Sequence, residues 1–345
     1  MWHLDKPSQQ TLDAYANTLL YWLIKRIEKS TDLPQYVKDL LVKKNVDGSR
    51  NDTVLRRLLT NEPYELFELS ESLMRQIITG YNSEELSDVS KAKKSQQPDD
   101  AQQALIKKYE LLKKLEDSFG YNAAISQNKN RSYKITAAGN HNTCVYCNRQ
   151  YTINIERNGG TNDDNRIVRP ALDHWFPKSL FPLMSLSYYN LIPCCTVCNS
   201  QVKKDEIWGL TTHVHPYLTM PDEPKFKFRY KAGVDSTWDI DFDGLADKEE
   251  RTAKSLCLQE VYQAHSSMEI ADLIEFATKN NGTYMKQLFG TILKLYTSGV
   301  GKTKAYRLLI GTEMMSDAYK NRPMSKLKKD LIEQIEKAQG IRFFE

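Results

Sequence analysis

The sequence predicts an α+β fold that is mostly α-helical. Apolar residues recur at three- and four-residue spacing in the first and last thirds of the chain, which is typical of amphipathic helices. Between them lies a stretch rich in Cys, Pro and Asn in which this period disappears, and an alternating segment that predicts a β-hairpin follows. We therefore expect an N-terminal helical region at 1–139, a central core at 140–220, and the hairpin with C-terminal helices at 221–345.

The composition excludes a small secreted domain and a membrane-spanning protein. The chain has 345 residues, of which 40% are hydrophobic and 27% charged. This length predicts two or three lobes. The mean hydropathy is -0.58, and no apolar run reaches membrane length. The first residues lack the basic and apolar segments of a secretory signal, so we expect a cytoplasmic protein that does not contact a membrane.

The N-terminal region has the clearest helical stripes. The first is formed by Leu12, Tyr15, Leu19, Leu20, Leu23 and Ile27. Similar stripes occur over 66–78 and 105–115. Between them, residues 88–100 are polar and have few large apolar side chains, which predicts a flexible connector.

The hairpin is predicted over Lys225 to Asp243. Apolar residues alternate on both sides of a turn at Gly233: Phe226, Phe228 and Tyr230 before it, and Trp238, Ile240 and Phe242 after it. Helical stripes return beyond Asp247, formed by Leu288, Ile292 and Leu295 and then by Leu327, Leu331 and Ile335. We expect nearly all of these stripes to pack into the core.

One C-terminal segment, TSGVGKT at 297–303, partly matches a phosphate-binding loop. The template requires a glycine five residues before Gly301, where this chain has Tyr296. The preceding segment also has a helical pattern instead of a strand pattern. We therefore predict a joint between two helices and no ATP site.

The most specific feature is two C-x2-C pairs, Cys144 with Cys147 and Cys195 with Cys198. This spacing lets one tight turn present two thiolates to one ion, and two such pairs predict a closed, structural zinc site. Cys194 could in principle replace Cys195, but the spacing selects Cys195. Buried free thiols are the less favoured alternative. Metal-bound thiolates in a reducing compartment are favoured over disulfides, because a chain of this size needs no covalent staple.

Candidate hydrolytic residues lie between and just after the cysteine pairs. A predicted strand at 167–172 runs into Asp173 and His174, and a second strand is predicted at 190–193. A short helix follows and carries Asn199 in its first turn. Histidine supplies a base near neutral pH. Carboxylate and amide oxygens suit Mg²⁺ or Mn²⁺.

The run LDHWFPKS, followed by NLIPCCTVCNSQVKKD and preceded by CVYC, resembles the HNH endonucleases. The core of that family consists of two strands, a helix and a bound metal ion (ββα-metal). The resemblance covers residues 143–205, with the helix expected over 196–205. It does not cover the helical regions that are predicted before and after these residues.

The resemblance implies a role for each of four residues. His174 would be the general base that takes a proton from the attacking water, and Asp173 would bind a catalytic Mg²⁺ or Mn²⁺. Asn190 would brace the loop and orient the base through a backbone contact. Asn199 would complete the metal site. Many members have His at that position, and Asn shifts the preference from softer ions toward Mg²⁺.

The resemblance also implies a nucleic-acid substrate, most simply double-stranded DNA cut to 5′-phosphate and 3′-hydroxyl ends. Four basic residues near the core are candidates for contacts with backbone phosphates: Arg149, Lys178, Lys203 and Lys204. For each of them a solvated surface is an equally good interpretation. The net charge of +4 permits nucleic-acid binding but does not require it.

The chain further resembles the nuclease subunits of bacterial anti-phage defence systems, which often act beside an ATPase. The missing nucleotide-binding motif would fit such a division of labour, with the helical flanks as docking surfaces. The alternative is a zinc-stabilised module that binds nucleic acid without catalysis. The combination of Asp173, His174 and Asn199 argues against that alternative.

Overall fold

The computed structural model describes residues 1–44, 50–157, 165–204, 206–220, 222, 225–234, 237–280, 283–284, 287, 291 and 302–340. Over these ranges the chain is mostly helical and has four small two-stranded antiparallel sheets. The predicted α+β class and its mostly helical content are confirmed.

The described residues before the cysteine-rich segment form a helical region. Its helices are α1 (Gln9–Lys29), α2 (Gln35–Leu41), α3 (Thr53–Thr60), α4 (Pro63–Ile77), α5 (Leu86–Lys94), α6 (Asp100–Lys108), α7 (Leu111–Phe119) and α8 (Lys129–Ala138), with a minimal pair of strands, β1 (Lys43–Lys44) and β2 (Arg50–Asn51), after α2. The Ser8 hydroxyl caps α1 by accepting a hydrogen bond from the Thr11 backbone N–H at 3.2 Å. The predicted stripe from Leu12 to Ile27 is buried, which confirms it as core.

The flexible connector predicted at 88–100 is wrong for its first half. Helix α5 occupies most of it, and only residues 95–99 separate α5 from α6. Leu86, Val89 and Ala92 are buried at three-residue intervals. This short stripe of small and medium side chains gives the helix a packing face, although the segment is polar on average.

The central segment is built from two hairpins and a short helix. The first hairpin pairs β3 (Ile155–Glu156) with β4 (Arg166–Val168), and the second pairs β5 (Ala171–His174) with β6 (Leu191–Cys194). In the second hairpin Asp173 lies opposite Ile192. A π-helix over Val197–Lys203 follows and contacts β5. The expected order of strand, strand and helix is therefore present at the predicted place.

Two local details differ from the prediction. The strand expected over 167–172 is broken at Arg169 and Pro170 into β4 and β5, because proline has no backbone N–H for a ladder. The helix expected over 196–205 spans Val197–Lys203 and has π geometry, whose wider turn changes the direction of the side chains that follow.

The predicted hairpin is confirmed as β7 (Lys227–Ala232) and β8 (Trp238–Asp243). Helices that follow include α9 (Asp247–Ser255), α10 (Leu258–Gln263), α11 (Ala271–Lys279), α12 (Lys302–Ile310) and α13 (Ser325–Gln339). From α13, the Gln334 side chain bonds the backbone N–H and C=O of Tyr230, at 3.0 and 2.7 Å. It thereby covers the free edge of β7. The predicted stripe of Leu288, Ile292 and Leu295 lies outside the described residues. So does the joint predicted at 297–303, except for Lys302 and Thr303, which begin α12.

One contiguous apolar cluster joins the N-terminal helices, the cysteine-rich segment and the C-terminal hairpin. Trp2 shows how the regions connect: it is fully buried, and its indole N–H donates to the Tyr146 carbonyl at 2.8 Å. The predicted boundaries at 139 and 220 remain predictions. Within the described part of the chain, no helix combines the length and the apolar character that crossing a membrane requires.

Candidate metal centre and catalytic site

Four cysteines form a compact buried cluster. The sulfur atoms of Cys144, Cys147, Cys195 and Cys198 all lie within 4.8 Å of one another. Zinc held tetrahedrally by four thiolates keeps its sulfur atoms about 3.8 Å apart. The cluster can therefore hold a metal ion such as zinc with little rearrangement.

The electrostatics of these thiols favour a bound cation. Hydrogen bonds from the other three thiols hold the pKa of Cys195 well below its usual range. Burial, by contrast, raises the pKa of Cys144 well above it. Four buried thiols this close cannot all ionise by themselves, and a divalent cation that prefers sulfur resolves the conflict. Two backbone N–H groups also point at sulfur: Cys195 toward Cys144 at 3.3 Å, and Cys198 toward Cys195 at 3.4 Å.

Cys194 lies apart from the cluster although it precedes Cys195 directly. It belongs to β6, opposite Ala171, and it is fully buried. Burial raises the pKa of its thiol well above the usual range. The geometry therefore agrees with the choice of Cys195 that the C-x2-C spacing indicated.

His174 ends strand β5 with its ring held from two sides. Its Nε2 lies 3.0 Å from the carbonyl oxygen of Ser185. The ring of Tyr121 packs against the imidazole edge to face, with 4.3 Å between ring centroids. Burial lowers the pKa of His174 to about 3, although the hydrogen bond to the Ser185 carbonyl by itself would raise that pKa. The imidazole is therefore neutral at pH 7.

The contact with Ser185 also fixes the tautomer. A carbonyl oxygen can only accept, so Nε2 carries the proton and Nδ1 carries the free lone pair. Nδ1 makes no hydrogen bond to a described residue. The His174 side chain is partly exposed, so a water molecule that binds at this lone pair could be deprotonated by it.

Asn190 is fully buried and braces the loop between β5 and β6. Its Oδ1 accepts from the Phe176 N–H at 2.7 Å, and its Nδ2 donates to the Phe176 and Met184 carbonyls at 3.1 and 3.0 Å. Its own carbonyl accepts from the Trp175 N–H at 3.0 Å. These bonds fix the chain that leads to Ser185, whose carbonyl oxygen contacts His174.

Asp173 points to the opposite face of β5 from His174, as neighbours on a strand do. It is only 3% exposed. Its Oδ2 accepts from the Tyr146 hydroxyl at 2.6 Å and lies 3.2 Å from the ammonium of Lys203. Its Oδ1 lies 3.5 Å from the same ammonium. Both carboxylate oxygens are thus engaged by proton donors inside the protein.

This arrangement does not fit the divalent ion that the resemblance implies at Asp173. A buried carboxylate already paired with a lysine would have to exchange that cation for a metal ion. Asn199, the other implied ligand, is partly exposed in the π-helix, and its backbone N–H bonds the Cys195 carbonyl at 3.1 Å. Its side-chain amide makes no hydrogen bond within the described residues. Asp173 and Asn199 as ligands of a catalytic ion remain predictions.

The four basic residues predicted to contact phosphates differ in exposure. Lys204 is exposed. Lys178 is partly exposed and paired with Glu116 of α7. Arg149 is partly buried, with Nη1 3.0 Å from Nε2 of His265. The prediction that Lys203 contacts phosphates is wrong, because its side chain is buried against Asp173 and cannot reach a phosphate on the surface.

Sequence reasoning missed three residues that contact the candidate site: Tyr121, Tyr146 and Ser185. Tyr146 lies within the CVYC motif, but nothing in the spacing shows that its hydroxyl reaches Asp173. Tyr121 lies far from the core in sequence and arrives from the end of α7. Ser185 contributes only its carbonyl oxygen, which every residue has, so no side-chain pattern could indicate it.

Comparison with known proteins yields no match for this chain among family models, curated proteins or solved structures.

Proposed function

We propose that this protein is an HNH-type endonuclease that hydrolyses phosphodiester bonds of DNA with His174 as the general base. The observation that carries the proposal is the hydrogen bond from Nε2 of His174 to the Ser185 carbonyl. It leaves a neutral imidazole with its lone pair on Nδ1, which bonds no described residue. A water molecule bound there can lose a proton as it attacks a phosphorus atom.

Three features support the proposal. The strand, strand and helix order of the motif is present. Asn190 braces the loop that carries Ser185, which is the role implied for the middle Asn of the motif. A zinc ion held by the cysteine cluster would fasten the end of β6 and the π-helix to the segment before Asn148. Together they hold the base in one orientation, which a general base requires.

The proposal includes a divalent-ion requirement because the resemblance implies Mg²⁺ or Mn²⁺. Such an ion stabilises negative charge on the phosphoryl and leaving oxygens when it is bound. No step is assigned to an ion at Asp173, since that carboxylate is already paired with Lys203.

A substrate panel tests the proposed function. Protein with its zinc retained is incubated with supercoiled plasmid, linear duplex DNA, single-stranded DNA and RNA, with Mg²⁺, with Mn²⁺ or with neither. We expect duplex DNA to be cut to 5′-phosphate ends when a divalent ion is present. Cleavage of no substrate under any condition would overturn the proposal. Tight binding without cutting would favour the alternative, a non-catalytic nucleic-acid-binding module.

The resemblance extends the proposal to an effector of anti-phage defence that acts with a partner protein such as an ATPase. The observation that favours it is the size of the helical region before the core, which is larger than a nuclease core needs. Purification together with the products of neighbouring genes tests this extension. Recovery of the chain alone under every condition contradicts it.

A further inference from the structure

Lys203 is a lysine with a fully buried side chain. Its ammonium has three close neighbours: the Asp173 carboxylate at 3.2 Å, the His174 carbonyl at 2.9 Å, and the ring of Trp208 with 4.8 Å from Nζ to the centroid. All three hydrogens of the ammonium therefore have an acceptor or a π face to meet.

A buried charge of this kind is costly unless it is paired and hydrogen-bonded. Lys203 and Asp173 compensate each other, and the Tyr146 hydroxyl satisfies a further lone pair of the carboxylate. The pair is thus a closed polar network inside the core. It lies where the family pattern expects a divalent cation beside the carboxylate.

The π-helix brings the lysine to this place. Lys203 is the last residue of the π-helix, and Lys204 after it has a φ of 52°. The Lys204 backbone N–H closes a five-residue turn by bonding the Asn199 carbonyl at 3.3 Å. Because of this wide turn, Lys203 points into the core and Lys204 points to solvent.

We propose that Lys203 is a positioning residue: its ammonium is the resident cation of Asp173 and anchors the His174 carbonyl, so a protein cation fixes the end of β5. Its meaning for catalysis rests on the proposed function, in which His174 is the base. Asp173 is then part of the support of the site and does not bind the catalytic ion.

A thermal-unfolding cycle tests the pairing. Lys203→Met and Asp173→Asn each leave one charge buried without its partner, so we expect each to lower Tm strongly. The double variant removes both charges and keeps an acceptor for Tyr146, so its Tm should exceed that of Lys203→Met alone. Additive losses would overturn the proposal. Lys204→Met is the matched control, because it removes a neighbouring exposed lysine, and its Tm should stay at that of the wild type.

Mn²⁺ binding, followed by electron paramagnetic resonance, tests whether Asp173 binds the ion. We expect the double variant to bind Mn²⁺ within about 100-fold of the wild-type affinity, because a residue that only supports a site costs about 10- to 100-fold. A larger loss would identify Asp173 as a metal ligand and overturn the proposal.

The anchoring of His174 has its own spectroscopic signature. We expect the ¹⁵N shifts of the His174 imidazole to move in the folded double variant, because the Lys203 contact with its carbonyl is lost, and to stay unchanged in Lys204→Met. Unmoved shifts in the double variant would overturn the positioning role. None of these readouts requires cleavage, so the failure of the wild type to cut DNA would overturn the proposed function and leave the Lys203–Asp173 pairing standing.

Discussion

At the scale of single residues, Cys194 and Cys195 are adjacent but lie in different environments. Cys195 belongs to the four-cysteine cluster, whereas Cys194 is a buried strand residue outside it. A structural zinc site contributes about 10 kcal/mol or more to folding in small zinc domains.

We therefore expect Cys195→Ser to lose bound zinc and to lower Tm strongly. Cys194→Ala should keep the zinc and cost about 1 kcal/mol, which is typical of a core substitution. Zinc content by atomic absorption, together with thermal unfolding, checks both variants. Equal zinc loss in the two would contradict the assignment.

The cysteine cluster could be predicted from the sequence, whereas the Lys203 partner of Asp173 could not, and the reason is physical. Cysteine spacing encodes the cluster, because two ligands of one ion must lie on one tight turn. The partner of Asp173 is not encoded in this way. Lys203 reaches it only through the packing of the π-helix on β5, and local spacing therefore suggested an exposed lysine.

At the scale of elements, the C-terminal end of α7 places Tyr121 in contact with His174. Helix α7 stops at Gly120, which has a φ of 58°. A Cβ there would lie 2.6 Å from Nε of Arg26. That side chain donates from Nη2 to the Asp117 carbonyl at 2.7 Å, so it has little freedom to move.

We expect Gly120→Ala to destabilise the protein through backbone strain of about 1 kcal/mol and a further loss of about 1 kcal/mol at the Arg26 contacts. Gly340→Ala is the matched control, since Gly340 has a similar φ of 64° and no atom of the described residues lies within 4 Å of where a Cβ would be. Chemical denaturation of both variants measures the difference. Equal losses would show that the close approach of Arg26 contributes nothing.

Element prediction succeeded where apolar periodicity was strong and failed where it was short. The apolar stripe of α1 was sufficient to predict that helix, and the alternation in β7 and β8 was sufficient to predict the hairpin. Helix α5 was missed because three small or medium side chains form its buried face. The π geometry of 197–203 could not be foreseen, because residue spacing does not show where a helical turn widens.

At the scale of the whole molecule, buried neutral histidines make stability sensitive to acid. His141 and His215 are both buried, and burial lowers the pKa of each to about 3. In the unfolded chain their pKa is about 6.5. Below that pH the unfolded chain binds protons that the folded protein does not, so stability falls as the pH falls from about 6.5 toward 3.

Each of these histidines should lower the free energy of unfolding by about 2 kcal/mol at pH 5 relative to pH 7. His215→Asn removes one titration and keeps an acceptor for the Tyr217 N–H that His215 caps at 3.3 Å. We expect its stability to fall less steeply between pH 7 and pH 5 than that of the wild type, as measured by urea denaturation. Parallel curves would contradict this account.

Contacts between distant parts of the chain connect the N-terminal helical region to the candidate site. The core cluster is contiguous across the regions that the sequence separates, and Tyr121 contacts His174 from the helical region. Sequence patterns locate the core motif but not these contacts, because they join residues far apart in the chain.

The role of His174 as the base of a nuclease is tested most directly by the single-turnover rate of duplex-DNA cleavage. We expect His174→Ala to lower that rate by about 100- to 10,000-fold, with zinc content unchanged and the folded structure retained by circular dichroism. His3→Ala is the control, because the ring of His3 contacts Thr219 and Asp5, outside the candidate site, and its rate should equal that of the wild type. A His174→Ala rate equal to that of the wild type would contradict the account.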